Sequence, residues 1–519
     1  MNVLRKTLCA FLFFPVWACT FVPALPASAQ AKPAPKAAVA DAEPAGQTPD
    51  SVTQHTVTIG GTPLAYTARA GTITLHNDED QPSAHIFYTA YTAGSEGARR
   101  PVTFIYNGGP GSSTMWLRMG SIGPVRVSPA DAAASGPPPY RISDNAYSLL
   151  DKSDLVFIDM PDSGFGRIIH TADRKDFFGV DQDAAAFGQF IQRYLTQFGR
   201  WNSPKFLFGE SYGTTRSGAL SNWLLQHGIA LNGVVLLSSI LNYGLDYGNG
   251  DPIGGGDWAY VFYLPTEAAT AWYHNKIRNK PADMPAFLAS VEHFAMNDYL
   301  TALSKGDRLG ASERADIVKK LSAYLGVSEQ YVRNSNIRVP YYRFLKEVGR
   351  SQGIVYGRLD GRYQTFDLDR AAEGTDWDAT DSSIDAPFTT AINQYLRSDL
   401  AYTTPLQYRP NVYDIIYANG KSWDFSHDKQ NPPNVAPDLA NVMTQNPNMR
   451  VFSANGYYDF ATPFFATVYT LKHLQLAPQL QQNISYGFYE SGHMVYLRDS
   501  ALSQFKNDLS RFYDSAQGH

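Results

Sequence analysis

A serine hydroxyl is a weak nucleophile until a base removes its proton, so its use in catalysis marks a chain at several separate points. The stretch Gly209-Glu210-Ser211-Tyr212-Gly213 carries the first mark. In a G-x-S-x-G turn between a strand and a helix the backbone reverses so sharply that the residues two before and two after the serine cannot carry bulk. Glycine stands at both places. The apolar run 206–208 precedes the turn and a helical stretch from about residue 215 to 226 follows it, flanks that separate an elbow from an ordinary glycine-bounded turn. The start of such a helix presents backbone N–H groups to a developing oxyanion.

In a fold of this kind the remaining partners follow in the order acid, then histidine. Of the eleven histidines, His493 stands in Ser491-Gly492-His493-Met494, a loop between an apolar run at 484–489 and the last helical stretch. The others downstream end helical patterns, fall in the middle of the chain or are terminal. Asp459 lies in a loop directly after the apolar run 451–453, where a carboxylate could fix the imidazole tautomer and stabilise the imidazolium. A second oxyanion donor must come from a loop after an early strand. Asn107-Gly108-Gly109-Pro110-Gly111 follows the run 102–106 and offers glycine backbone for close approach to a substrate. It is no phosphate cradle, because no Gly-Lys-Ser/Thr follows, and Gly254-Gly255-Gly256 fails the same test. The acid-rich run 367–385 lacks calcium-loop spacing and reads as a solvated loop. Nothing else calls for a metal or cofactor.

These residues need a scaffold. Short β-branched or aromatic runs at 56–59, 64–69, 73–76, 86–91 and 102–106, separated by Gly, Asn and Asp, predict an antiparallel start to a sheet. A strand at 155–159 is followed by a helix over 181–198, with Phe187, Phe190, Ile191, Tyr194, Leu195 and Phe198 on one face. Strands at 206–208 and 234–237 continue the alternation, which implies a mostly parallel sheet with helices on both faces, an α/β-hydrolase fold. From 245 to 437 the alternation stops, and this stretch reads as a large inserted cap between a first core part (55–244) and a last core part (438–519).

Arg5 and Lys6, an apolar run from 8 to 25 and Ala27-Ser28-Ala29 read as a signal peptide over residues 1–29. The expected location is therefore exported, periplasmic or secreted. A lipid anchor at Cys19 is the alternative, and Pro15 and Pro23 argue against a stable membrane span. Residues 30–54, rich in Ala and Pro, read as a flexible linker. Cys9 and Cys19 are the only cysteines, so the cleaved chain would have neither disulfides nor thiolate chemistry. With 44% hydrophobic and 18% charged residues the 519-residue chain has material for a deep core, and a net charge of -5 without a basic stripe excludes a nucleic-acid partner. Oligomeric state leaves no mark in the sequence.

Four motifs occur together and in order: N-G-G-P-G at 107–111, G-E-S-Y-G around Glu210, D-x-x-x-P at Asp459 and Pro463, and G-H-M at His493. Pro161-Asp162-Ser163-Gly164-Phe165-Gly166 loosely resembles a fifth. On these the chain resembles the serine carboxypeptidase family from about residue 104 to 497. The resemblance implies a catalytic triad of Ser211, Asp459 and His493, oxyanion donors at the Gly109 and Tyr212 N–H groups, and a substrate-binding set of Asn107, Gly108 and Glu210. Asn107 and Glu210 would hold the free carboxylate of a peptide's last residue. No cofactor is implied. Three departures stand out: Ser121 replaces the acid that partners Glu210, Ile105 replaces a tryptophan before the loop, and Ser112 replaces a cysteine. The first two thin the carboxylate-recognition shell, so an esterase or acyltransferase on the same scaffold is the alternative activity.

Overall fold

The computed structural model describes residues 48–94, 99–245, 256–417 and 423–517. The expected signal peptide, the Cys19 anchor and most of the linker lie outside them. Among the described residues no helix is long and apolar enough to cross a membrane.

Among the described residues nine strands follow one another across the central sheet: β1 (Ser51–Ile59), β2 (Thr62–His76), β3 (Pro82–Ala93), β4 (Val102–Tyr106), β5 (Asp154–Ile158), β6 (Lys205–Ser211), β7 (Gly233–Ser239), β8 (Arg450–Gly456) and β9 (Ile484–Tyr489). Their spatial order is β1-β2-β3-β5-β4-β6-β7-β8-β9, with a two-residue strand, Arg167–Ile168, also pairing with β3. The first three strands and the β3–β5 junction are antiparallel. From β5 to β9 every pairing is parallel. β1 begins at Ser51, ahead of the start expected at His55, because the long β2 supplies partners as far as Ala70.

The parallel strands read as continuous apolar runs because both of their faces are covered, and every residue of β4, β5 and β7 is buried. Alternate residues feed two cores. Phe104, Leu207 and Val234 face the helices α1 (Val180–Gln197) and α2 (Tyr212–Gln226). Phe206, Phe208 and Phe452 face the closing helix, whose Phe505, Leu509 and Phe512 repeat at helical spacing. Burying one such phenylalanine contributes about 2 kcal/mol. This strand order and layering is that of an α/β-hydrolase fold.

Between β7 and β8 the chain leaves the sheet. A helix α3 (Asp257–Tyr273) seeds a third apolar cluster that also takes in Tyr458 and Phe460 from the loop after β8. Further on, α4 (Ala379–Gln394) packs Phe388 against Trp116 of the short helix Met115–Gly120, with ring centroids 5.0 Å apart. The inserted segment is thus fastened to the loops at one edge of the parallel sheet.

Candidate active site

β6 ends at Ser211 and α2 starts at Tyr212, so the serine alone makes the turn, at φ 61° and ψ −132°. A side chain held in that sparsely occupied region costs about 1–3 kcal/mol, which the surrounding strand and helix must offset. The flanking glycines make it possible. A Cβ on Gly209 would collide with the carbonyl of Gly213, and one on Gly213 would lie 2.9 Å from the carbonyl oxygen of Tyr106.

The loop after β4 meets this turn backbone to backbone. A Cβ on Gly108 would run into the amide nitrogens of Tyr212 and Gly213, so the loop abuts the first turn of α2, and Gly109 takes φ 107°. Arg216 on α2 anchors the loop by donating to the Asn107 carbonyl at 2.8 Å, while a buried pair with Asp183 (2.7 Å) neutralises the guanidinium. The Asn107 side chain accepts from Leu117 N at 3.1 Å and donates to Glu210 Oε1 at 2.8 Å. Glu210 is buried, and the buried Tyr496 hydroxyl interacts with its carboxyl. Burial pushes its carboxyl up to about 7, against the opposing pull of His493, Tyr496 and Asn107. Ser121, where the resemblance expects an acid, is buried with an unpaired hydroxyl. Ile105 is a core residue on the far face of its strand from Phe104 and Tyr106.

The loops after β8 and β9 bring Asp459 and His493 together: Asp459 Oδ2 lies 2.8 Å from His493 Nδ1. Asp459 also accepts from Ala461 N (2.8 Å), Thr462 N (3.0 Å) and Thr462 Oγ1 (2.7 Å), a set of donors that fixes the orientation of the carboxylate toward the imidazole. Burial alone would lower the His493 pKa, but the Asp459 carboxylate outweighs it and the net direction is upward.

Residues the sequence reading passed over hold the histidine loop. His493 N donates to the Leu359 carbonyl at 2.6 Å, Gly492 N donates to Asp360 Oδ2 at 3.0 Å, and Ser238 Oγ donates to the His493 carbonyl at 2.6 Å. Asp360 is itself locked by the buried Arg362 at 2.6 Å, and Arg362 also reaches Asp131 and Ser491. The acid-rich run 367–385 is the expected exposed loop only as far as residue 378, where α4 begins, and two of its acids are not free in solvent. Asp367 is buried against Lys346, and Asp378 caps α4, accepting from Thr380 N at 2.8 Å.

Ser211, His493, Asn107, Gly108, Gly109, Glu210 and Tyr212 all line one cavity of about 670 Å³, whose other wall includes Arg358, Asp381 and Asp385 from the inserted segment. Asp459 stands behind His493, out of the cavity wall. A buried carboxylate–imidazole pair and an elbow serine at one cavity is an arrangement able to carry out acyl transfer.

Residues 61–496 match the serine carboxypeptidase family. The chain belongs to that family. It is a serine hydrolase, and its α/β-hydrolase fold is the family's own. A comparison with curated protein sequences gives no match. Solved structures similar to this serine carboxypeptidase relative include a proline iminopeptidase from Mycobacterium smegmatis, 13% identical, covering 89% of this chain and 98% of that one with a TM-score of 0.33. A lipase in its open form is 14% identical, with coverages of 87% and 100% and a TM-score of 0.35. An epoxide hydrolase from Aspergillus niger is 11% identical, with coverages of 86% and 79% and a TM-score of 0.33.

Of the family-implied residues, Asn107 and Glu210 form a bonded pair, whereas the position of Ser121 offers a bare hydroxyl in place of a second carboxyl. Asp360, Arg362 and Leu359 had no signal in the sequence, since their partners in the histidine loop lie more than 100 residues away in the chain.

Proposed function

We propose that this protein is a serine-type carboxypeptidase that releases C-terminal amino acids from peptides through an acyl-enzyme on Ser211. The observation that carries the reading is the shared cavity: the elbow serine, the Asp459-backed His493 and the Asn107–Glu210 pair all border it. His493, with Nδ1–H donated to Asp459, keeps Nε2 free to take the Ser211 proton. Ser211 Oγ attacks the scissile carbonyl carbon, and the N–H groups of Gly109 and Tyr212 stabilise the oxyanion. His493 returns the proton to the leaving amine, the C-terminal amino acid departs, and water reverses the sequence to free the acid.

The carboxylate of the substrate's last residue meets Glu210. Since its carboxyl sits near 7, Glu210 is largely protonated in mildly acidic solution and can donate to that carboxylate instead of repelling it. An enzyme of this kind works best below neutrality. The expected export agrees with a peptide-degrading role outside the cytoplasm.

The test compares peptides with a free and an amidated C-terminus. Free acids should be cleaved at least about a hundredfold faster, as expected when a site built around a polar group meets a substrate lacking it. Equal rates would remove the carboxypeptidase reading while leaving the serine chemistry in place, which a fluorophosphonate label at Ser211 would report. The unpaired Ser121 hydroxyl favours the second reading, an esterase or acyltransferase, and a panel of acyl esters measured beside the peptides separates the two.

A further inference from the structure

The turn that carries the Gly109 N–H cannot hold its own shape. Gly109 and Gly111 take φ 107° and 113°, and Ser112 N closes the turn by donating to the Gly108 carbonyl at 3.1 Å. Ordering a backbone costs about 1–2 kcal/mol per residue, and glycine has the most freedom to lose. An oxyanion donor must nevertheless stay within about 2.7–3.1 Å of the developing charge. On one side the turn is fixed where Gly108 abuts the first turn of α2. Gly109 itself is exposed on the cavity, so its other side needs a support.

That support comes from the far end of the inserted segment. Ser113 N donates to the Pro410 carbonyl and Val412 N to the Gly111 carbonyl, both at 2.9 Å, while Ser112 and Asn411 pair as an antiparallel bridge. Residues 409–412 thus lie along the turn like an added strand. They have anchors of their own: Arg409 exchanges two backbone hydrogen bonds with Gly164 (2.8 and 3.0 Å), and Val412 and Ile416 are buried in the core on the α1–α2 face of the sheet.

Tyr413 opens the short helix Tyr413–Ile416 that ends this strap. Its hydroxyl lies 2.8 Å from Ser112 Oγ. Its ring lies on the turn: a Cβ on Gly109 would stand 3.1 Å from Tyr413 Cε1, and one on Gly111 3.2 Å from Cδ1. Ser112 is therefore held twice, its N–H by Gly108 and its hydroxyl by Tyr413. The same ring borders the cavity that Ser211 and His493 line.

We infer that Tyr413 is a positioning residue for acyl transfer: by holding Ser112 and covering Gly109 it fixes the Gly109 N–H in the direction of the oxyanion formed at Ser211. The inference rests on the acyl-enzyme reading above. Its effect belongs to the transition state, because a bound substrate carries no oxyanion for the N–H to meet, so kcat responds and KM does not.

The test compares the full chain with Tyr413→Phe, Ser112→Ala, the double variant and Tyr413→Ala, with active sites counted by fluorophosphonate labelling taken to completion. Substrates are a blocked dipeptide as free acid and as amide, and an activated ester of the same acyl group. Tyr413→Phe and Ser112→Ala each remove one end of a single hydrogen bond, so each should lower kcat about tenfold with KM within about twofold, and the double variant should fall no further. Tyr413→Ala also uncovers the glycines, and kcat should drop about a hundredfold, as on losing an oxyanion donor. A peptide aldehyde, whose adduct with Ser211 places an oxygen where the oxyanion forms, should lose affinity by the same factor as kcat/KM, while the product acid binds as before. An unchanged kcat per labelled site in Tyr413→Ala, even with stability lost, overturns the inference. So do a change confined to KM, an equal weakening of aldehyde and product, or losses that multiply in the double variant. Failure of the carboxypeptidase reading looks different: wild-type enzyme cleaves amide as fast as free acid, and the ester and aldehyde results still decide the role of Tyr413. Labelled enzyme that turns over none of the three substrates overturns both.

Discussion

Replacing Glu210 by Gln separates what the fold needs at this position from what the site needs. The glutamine keeps the acceptor oxygen for Asn107 Nδ2 and puts an N–H donor in place of Oε2. It removes only the titration. In the folded protein burial raises the Glu210 carboxyl from its ordinary 4.5 to about 7. An acid whose folded pKa exceeds its unfolded value binds protons more tightly in the folded state, so its stabilising effect is complete below about 4.5 and disappears as pH climbs through about 7. At about 1.4 kcal/mol for each tenfold change in proton affinity, that rise corresponds to about 3 kcal/mol of stability lost across the interval. Urea unfolding of the wild-type protein at pH 4 and pH 8 should therefore show a difference that Glu210→Gln lacks, with the variant the more stable protein at pH 8. Turnover gives the complementary reading. Above pH 7 the wild-type KM for free-acid peptides should rise about tenfold per pH unit as the donor is lost. The variant's KM should be a few times higher than wild type at pH 5 but independent of pH, with kcat for acylation little changed. A wild-type KM that stays flat to pH 9, or a kcat that collapses in the variant while KM holds, would refute a neutral Glu210 as the carboxylate's partner.

Asp459→Asn leaves an acceptor for Ala461 N and Thr462 N but presents an N–H to His493 Nδ1, forcing the tautomer that cannot take the serine proton; acylation measured by single turnover should fall about 10⁴-fold with the fold intact, and a loss under tenfold would remove Asp459 from the triad. Asp360→Ala uncouples the Gly492–His493 loop and leaves the buried Arg362 only the half-exposed Asp131 as a charged partner, so unfolding should show a loss of about 3 kcal/mol. Adding Arg362→Met should restore most of that stability without restoring kcat, a separation that a purely structural role for Asp360 would not produce. His427 lies between Asp181 and Asp438, 2.6 Å from each, and these hydrogen bonds raise its pKa to about 10. Being raised, it stabilises fully below its ordinary 6.5 and ceases to do so as pH passes about 10; His427→Gln should therefore destabilise at pH 6 but not at pH 10.5, by only about 1 kcal/mol because Asp181 is more than half exposed.

The parts of the site that could be read in the sequence are those where backbone geometry leaves no choice of residue. Gly209, Gly213 and Gly108 each stand where a Cβ would strike main-chain atoms, so the elbow and the loop facing it announce themselves by composition alone. The strands β4 to β7 were legible for a related reason: covered on both faces, they admit little but apolar residues. The helix α1, foreseen over 181–198, runs from Val180 to Gln197, since its buried face repeats at the helical period.

Charged residues carry no such mark, because their state depends on partners the chain supplies from far away. Asp367, Asp378, Asp381 and Asp385 fall within one acidic stretch, and nothing in its composition distinguishes them. Lys346 buries the first, three amide N–H groups occupy the second, and the last two are left unpaired on a cavity wall. Asp360 and Arg362 look like two charges in an irregular segment until β9 delivers Ser491 and Gly492 beside them. A carboxylate that the fold has satisfied can be explained by stability alone. One that lines a reactive cavity and is pushed toward neutrality opposes folding, and its retention points to a ligand that completes it. By that criterion Glu210 and Asp381 stand apart from the rest, although only the first lies in a recognisable motif.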